Sequence, residues 1–314
     1  MPALPLLAPL ALCFALATGA DKPAPPPAPP VSMSKAPDAT GSKAISDFTG
    51  WVFGQIETGP DESIREARKS ATDLLSSKDC TPVFYNAFFK ASEPSIVRIA
   101  RSGQGYRATN ALFVLRAIRC PEALDLMLKE CNAKEQPVAS VRIAAGAMLT
   151  AMLGGKDAPL SDAEGLAREI GRNVAEETSP LAAARLVEAL CTLMTAADGA
   201  KMAPQARSAL MTLITAAKVT AKRAGEAGQE DFAGATFRAL IGIRDQCVKM
   251  SGKDHDDIGQ SADFRELLSA VNALRFSAEG KTADAARELA GAREVAKALS
   301  SMFSSDDKQK PAKK

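Results

Sequence analysis

Seven prolines, Pro60, Pro82, Pro94, Pro121, Pro137, Pro180 and Pro204, stand at the head of runs whose apolar side chains recur with a helical period. Proline lacks an N–H and has a fixed φ, so it suits the first turn of a helix and interrupts later ones. A chain punctuated in this way is parsed into short helices. About a fifth of its residues are alanine and β-branched alternation is nearly absent, which favours helix again. Ser161 with Glu164 and Thr282 with Asp284 read as helix starts, and Gly154-Gly155, Gly199 and Ser251-Gly252 as stops. These signals predict about ten to twelve helices joined by short turns, which makes sequential neighbours antiparallel.

The stretch QPVASVRIAAGAMLTAML, residues 136–153, shows that the helices are related. Its core VRIAAGAML (141–149) aligns with YRATNALFVL (106–115), ARLVEALCTL (184–193), FRALIGI (237–243) and, more loosely, FRELLSAV (264–271). Each places a small residue four positions after an arginine, and the arginines are Arg107, Arg142, Arg185, Arg238 and Arg265. Helical spacing would turn Ala144, Ala147 and Leu149 toward the interior.

Residues 137–149 resemble the second helix of a HEAT repeat, the helical-hairpin unit of α-solenoids. The resemblance extends to 93–118 and 179–194 and fades beyond about residue 250. Units in such families run to about 40 to 47 residues. The resemblance implies an all-α fold of stacked antiparallel hairpins, as a solenoid or a superhelical bundle, because one amphipathic hairpin cannot bury its apolar face alone. It also implies pairing of each arginine with an acid near the turn: Glu135 with Arg142, Asp231 with Arg238, and Glu177 as the acid nearest Arg185.

The ends differ from the middle. MPALPLLAPLALCFALATGA (1–20) carries no charged side chain. Its apolar run is shorter than the roughly 20 residues that span a bilayer, and small residues precede Thr18 and Asp21, as at a signal-peptide cleavage site. Export to the periplasm or medium is expected, with no transmembrane segment in the mature chain. Residues 21–43 read as a proline- and alanine-rich disordered tether, 44–304 as the helical repeat domain and 305–314 as a solvated tail. Beyond Cys13 there are five cysteines. Cys120 and Cys131 bracket one expected helix and would stand about 16 Å apart, too far for a disulfide. Cys80 and Cys120, each just before a proline, are the one pair worth testing.

Most chemical motifs fail on inspection. Gly103-x-Gly105-x-x-Ala108 outlines a dinucleotide fingerprint, but helix is expected where the second strand should follow. Gly280-Lys281-Thr282 lacks the rest of a P-loop, and Lys253–Gly259 echoes a calcium loop with Ile258 and Arg265 where ligands belong. His255 is the single histidine, which leaves triad and multi-histidine metal chemistry without parts. No cofactor or metal site is expected. With 39 basic and 37 acidic residues, the net charge offers no case for nucleic acid. One local bias stands out, since Lys90, Arg98, Arg101, Arg107, Arg116 and Arg119 face a single acid, Glu93, within their own stretch. Together these features lead to an exported, non-catalytic scaffold that binds an acidic protein partner through Arg98, Arg101 and Arg107. The alternatives are a helical hydrolase with paired carboxylates beside Trp51 or Tyr106, and a binder of an anionic envelope polymer.

Overall fold

The computed structural model describes residues 24–33, 35–155, 158, 160–274 and 283–304. Residues 1–20, Gly280-Lys281-Thr282 and the 305–314 tail lie outside that set. The fold is all-α, and no strand occurs among the described residues. The described residues form thirteen α-helices: α1 Ala39–Thr58, α2 Asp61–Leu75, α3 Pro82–Ala100, α4 Gly105–Ala117, α5 Pro121–Glu130, α6 Ala139–Leu153, α7 Ala163–Glu176, α8 Pro180–Gly199, α9 Ala203–Ala224, α10 Ala233–Cys247, α11 Lys253–Gln260, α12 Ala262–Ala273 and α13 Ala283–Ser304.

Hairpins α1–α2, α3–α4, α5–α6, α7–α8, α9–α10 and α12–α13 each pack internally. They stack into two layers. The second helices form a continuous row, α2 on α4, α4 on α6, α6 on α8, α8 on α10 and α10 on α13. The first helices form a row that runs from α1 through α3 to α5, and again from α7 through α9 to α12. Each helix thereby buries its apolar stripe against both its hairpin partner and its stacking neighbours, and the arrangement is compatible with a helical-repeat solenoid. The central helix α8 is long and apolar enough to cross a membrane. Its apolarity is accounted for by packing against α6, α7, α9 and α10.

Proline punctuation holds for Pro82, Pro121, Pro180 and Pro204, which sit in first turns, while Pro60 is an N-cap. Pro94 departs from it, because α3 continues through it. Pro94 is exposed, so the carbonyl it frees one turn back can bond water. Phe84, Phe88, Ile96 and Ile99, on both sides of it, are fully or almost fully buried and hold the helix together. Pro137 precedes the Val138 N-cap of α6, and α7 begins after Asp162, one residue beyond the expected Ser161. Lys253–Gly259, whose sequence echoes a calcium loop, lies within the helix α11.

The repeated arginine register has a structural counterpart. Arg107, Arg142, Arg185 and Arg238 fall on α4, α6, α8 and α10, successive helices of the second layer, whereas Arg265 falls on α12 in the first layer. The small residue four positions later is where neighbouring helices approach. A Cβ on Gly146 would stand 2.8 Å from Cβ of Arg185, and one on Gly242 would stand 2.5 Å from Sγ of Cys191. Ala111 and Ala189, at the equivalent positions, are completely buried.

The interior face of α6 differs from the expectation at one residue. Leu149 is buried and Ala144 packs against the core, but Ala147 is exposed. Buried positions are Val141, Arg142, Ala145, Gly146, Met148, Leu149 and Leu153. The run of small residues gives little polarity contrast by which to set the face, and the buried arginine occupies a position that a hydrophobicity pattern assigns to solvent. Ala147→Asp should therefore shift stability by no more than about 0.5 kcal/mol, whereas Gly146→Val should overpack the α6–α8 contact and cost about 1–3 kcal/mol. Urea melts of the two variants check the assignment.

Candidate functional site

Two places in the stack gather polar side chains that bear on function, the edge where hairpins turn and two grooves on the second layer. At the turn edge, cations of one hairpin hold the turns of its neighbours. Arg107 donates from Nη1 to the Ile56 carbonyl at 2.8 Å and from Nη2 to the Gly59 carbonyl at 3.1 Å, fastening the α1–α2 turn from α4. Gln136 donates from Nε2 to the Ala100 carbonyl and to Oε2 of Glu130. Arg223 of α9 donates to the carbonyls of Glu177 and Ala175, and within the α12–α13 hairpin Arg293 donates to that of Leu274.

The most buried ion pair among the described residues is a fork between Arg142 and Glu177, whose side chains are 4% and 0% exposed. Arg142 donates from Nε to Oε2 and from Nη2 to Oε1, both at 2.8 Å, and from Nη1 to the Gln136 carbonyl. Oε1 of Glu177 also accepts from the backbone N–H groups of Thr178 and Ser179 at 2.8 and 2.7 Å. One side chain thus joins the α5–α6 hairpin to the α7–α8 turn. The acid differs from the expected Glu135, which instead pairs with Arg101. Arg238 likewise meets Glu188 and Glu288 in place of Asp231, and Arg185 meets Glu188 in place of Glu177. For Arg142 and Arg238 the stacking of hairpins, which is not visible in local spacing, chooses the partner, whereas Arg185 takes the acid three residues on in its own helix.

The three arginines expected to bind a partner are engaged along this edge. Arg98 forks onto Glu57 with two 2.7 Å hydrogen bonds, which hold that carboxyl below its usual range. Arg101 lies 3.4 Å from Glu135 and 3.7 Å from Glu130, and Arg107 serves the α1–α2 turn. Glu130 is fully buried, and its Oε1 has no hydrogen-bond partner among the described residues. Burial pushes its carboxyl above the usual value of 4.5, against the opposing influence of Gln136 and Arg101.

Arg116 and Arg119, from the same basic stretch, stand elsewhere. With Thr72, Ser76, Cys120, Ala151 and Met152 they line a groove of about 530 Å3 at the C-terminal ends of α2, α4 and α6. Both are exposed, and no acid is among the described lining residues. The Arg116 guanidinium lies 5.4 Å from the Phe113 ring centre. Across α6 a second groove of about 490 Å3 runs between α6, α8 and α10. It carries Glu188 and Asp245 alongside Arg238 and Lys249, a balanced set. Both grooves open on the second layer. The signal for Arg116 and Arg119 is the basic stretch itself; only the three-dimensional stack places them at the groove and Arg98, Arg101 and Arg107 at the turn edge.

The reactive residues are placed structurally. Cys80, Cys120, Cys131, Cys191 and Cys247 are all free, so the Cys80–Cys120 pair does not form. Burial pushes Cys120 and Cys247 up to about 11 and Cys191 to about 12, which keeps them protonated and poorly nucleophilic at neutral pH. His255 stacks on Phe303 at 4.2 Å, and Asp254 and Asp257 of α11 pair with Arg207. No group of three metal-ligating side chains occurs among the described residues. The cleft beside Trp51 has one acid, Glu66, among its described lining residues, and Tyr106 lines neither groove. No family model, curated protein or solved structure matches the chain.

Two outcomes test the edge. Arg142→Met would leave Glu177 buried without its cation and should cost about 3–5 kcal/mol in a urea melt. Glu130→Gln should act in the opposite direction at neutral pH. The folded protein holds this proton more tightly than the unfolded chain, so Glu130 lowers stability as pH rises from about 4.5 through its raised folded value. The substitution should raise the melting temperature at pH 7 and flatten the pH dependence above 4.5. An equal gain at pH 4 would contradict the assignment.

Proposed function

We propose that the chain is an exported, non-catalytic scaffold of HEAT-like hairpins that binds an acidic protein partner on the outer face of its second layer. The observation that carries this reading is the pair of adjoining grooves on that face, the first walled by Arg116 and Arg119 with no acid among its described lining. Exposed cations beside an apolar floor would steer an acidic partner and leave packing against Ala151 and Met152 to hold it. The HEAT-like character is supported by the arginine register on four successive second-layer helices and by the close approaches at Gly146 and Gly242. Arg98, Arg101 and Arg107 would contribute to the partner surface only indirectly, by fixing the hairpins that form it.

A photo-crosslinking residue placed at Ala151 of the full chain should capture a partner that the same residue at Arg168, on first-layer α7, does not. Capture at Ala151 should fall with Arg116→Glu/Arg119→Glu and with rising salt, since exposed charges are screened within about 8 Å at physiological ionic strength. Identical products from both faces would contradict the reading. Export has its own check, because the N-terminus of the native protein should begin at Thr18 or Asp21, and an intact Met1 chain in the cytoplasm would rule it out.

A further inference from the structure

Residues 24–33 of the proline-rich stretch, expected as part of a tether, lie against the first hairpins. Pro29 is buried, Val31 and Met33 pack on the core, and the Thr81 N–H at the start of α3 donates to the Val31 carbonyl at 3.3 Å. Ala24 and Pro25 lie at a groove of about 250 Å3 formed by Trp51 and Gln55 of α1 and by Ser63, Glu66 and Ser70 of α2. Ser63 is 3% exposed, and its Oγ has no hydrogen-bond partner among the described residues.

We propose that this groove on α1–α2 is a binding site for proline-rich strands, entered in cis by Ala24 and Pro25 of the chain's own residues 24–33, which leave its Ser63 hydroxyl unpaired. The chemistry of the two sides is complementary. Proline offers carbonyl acceptors and no backbone donors, so the proline stretches of such a strand present mainly acceptors to whatever it rests on. The groove supplies donors: the Ser63 and Ser70 hydroxyls and the Gln55 amide. The Ser63 hydroxyl, buried and unpaired, is where a strand carbonyl would restore a hydrogen bond that burial otherwise forfeits. Trp51 adds the aromatic surface on which proline rings pack. The pre-set extended conformation of a proline-rich strand reduces the entropy lost on docking. The sequence Pro-Ala-Pro-Pro-Pro-Ala-Pro-Pro over residues 23–30 meets these requirements, and it is joined to α1 through a short linker. A site held in cis can also take the same kind of strand in trans whenever its own strand is displaced.

Trp51 is the only tryptophan, so its emission reports on the groove. The test uses the full chain, a variant with Pro25→Ser, Pro27→Ser and Pro29→Ser, and a labelled peptide of residues 21–33 read by fluorescence anisotropy. The wild-type strand competes at an effective concentration in the millimolar range, so the variant should bind the peptide at least about tenfold more tightly than wild type does. Binding should shift Trp51 emission to the blue, and it should be lost in the variant carrying Trp51→Ala and with a peptide whose prolines are serines. Absence of binding by a variant with intact helical circular dichroism would overturn the proposal, as would equal binding of the two peptides. If the triple variant loses helicity, Pro25→Ser alone decides. Acrylamide quenching of Trp51 should then rise above wild type and fall back on adding peptide, and unchanged quenching would overturn the site.

Discussion

The Arg142–Glu177 fork is the contact on which the middle of the stack depends. Taking two charges out of water is costly, and attraction repays that cost only when geometry is good and the remaining lone pairs are used. Here two of the guanidinium bonds go to the carboxylate and a third to the Gln136 carbonyl, while two backbone N–H groups complete the carboxylate. The same Glu177 residue gives its carbonyl to Arg223 from the following hairpin. Three hairpins therefore meet at one turn, and each is held in register by a bond whose geometry tolerates little sliding. The apolar stripes supply the attraction between hairpins, but small and aliphatic side chains on neighbouring helices could interdigitate in more than one register. The directional contacts at the turn edge, with the close approach at Gly146, select one.

This division of labour explains what the sequence disclosed. Helices, their proline starts and their antiparallel pairing follow from local rules, so they were readable, as was the arginine-plus-small register of the second layer. Partners thirty or more residues away were not. Glu135 is seven residues before Arg142 and looks like its natural mate, yet stacking delivers Glu177, and Glu135 goes to Arg101. Ala147 was misplaced for a related reason: among consecutive small residues, the buried face is set by where the neighbouring helix lies and not by the residues themselves. Pro94 shows the opposite case, a strong local signal overruled by four large buried side chains around it.

The basic stretch shows most clearly how a site can be legible in composition and illegible in detail. Its cations serve two unrelated ends. Arg98, Arg101 and Arg107 lie where hairpins turn and are drawn to Glu57, Glu130, Glu135 and turn carbonyls. Arg116 and Arg119 lie at the opposite end of α4, beside helix C-termini, and wall a groove. Along α4, the nine residues from Arg107 to Arg116 separate the two groups by about 14 Å at about 1.5 Å per residue.

The central claim is that stacked hairpins are coupled to their neighbours at the turn edge, most strongly through Glu177. Native-state hydrogen exchange of wild type and Arg142→Met measures it directly. The expected result is a loss of protection that begins at the Thr178 and Ser179 amides, spreads through α6 and α8, and leaves α12–α13 near wild type, because each unit contacts only its neighbours. Uniform loss along the whole chain, or unchanged protection at Thr178 and Ser179, would contradict it.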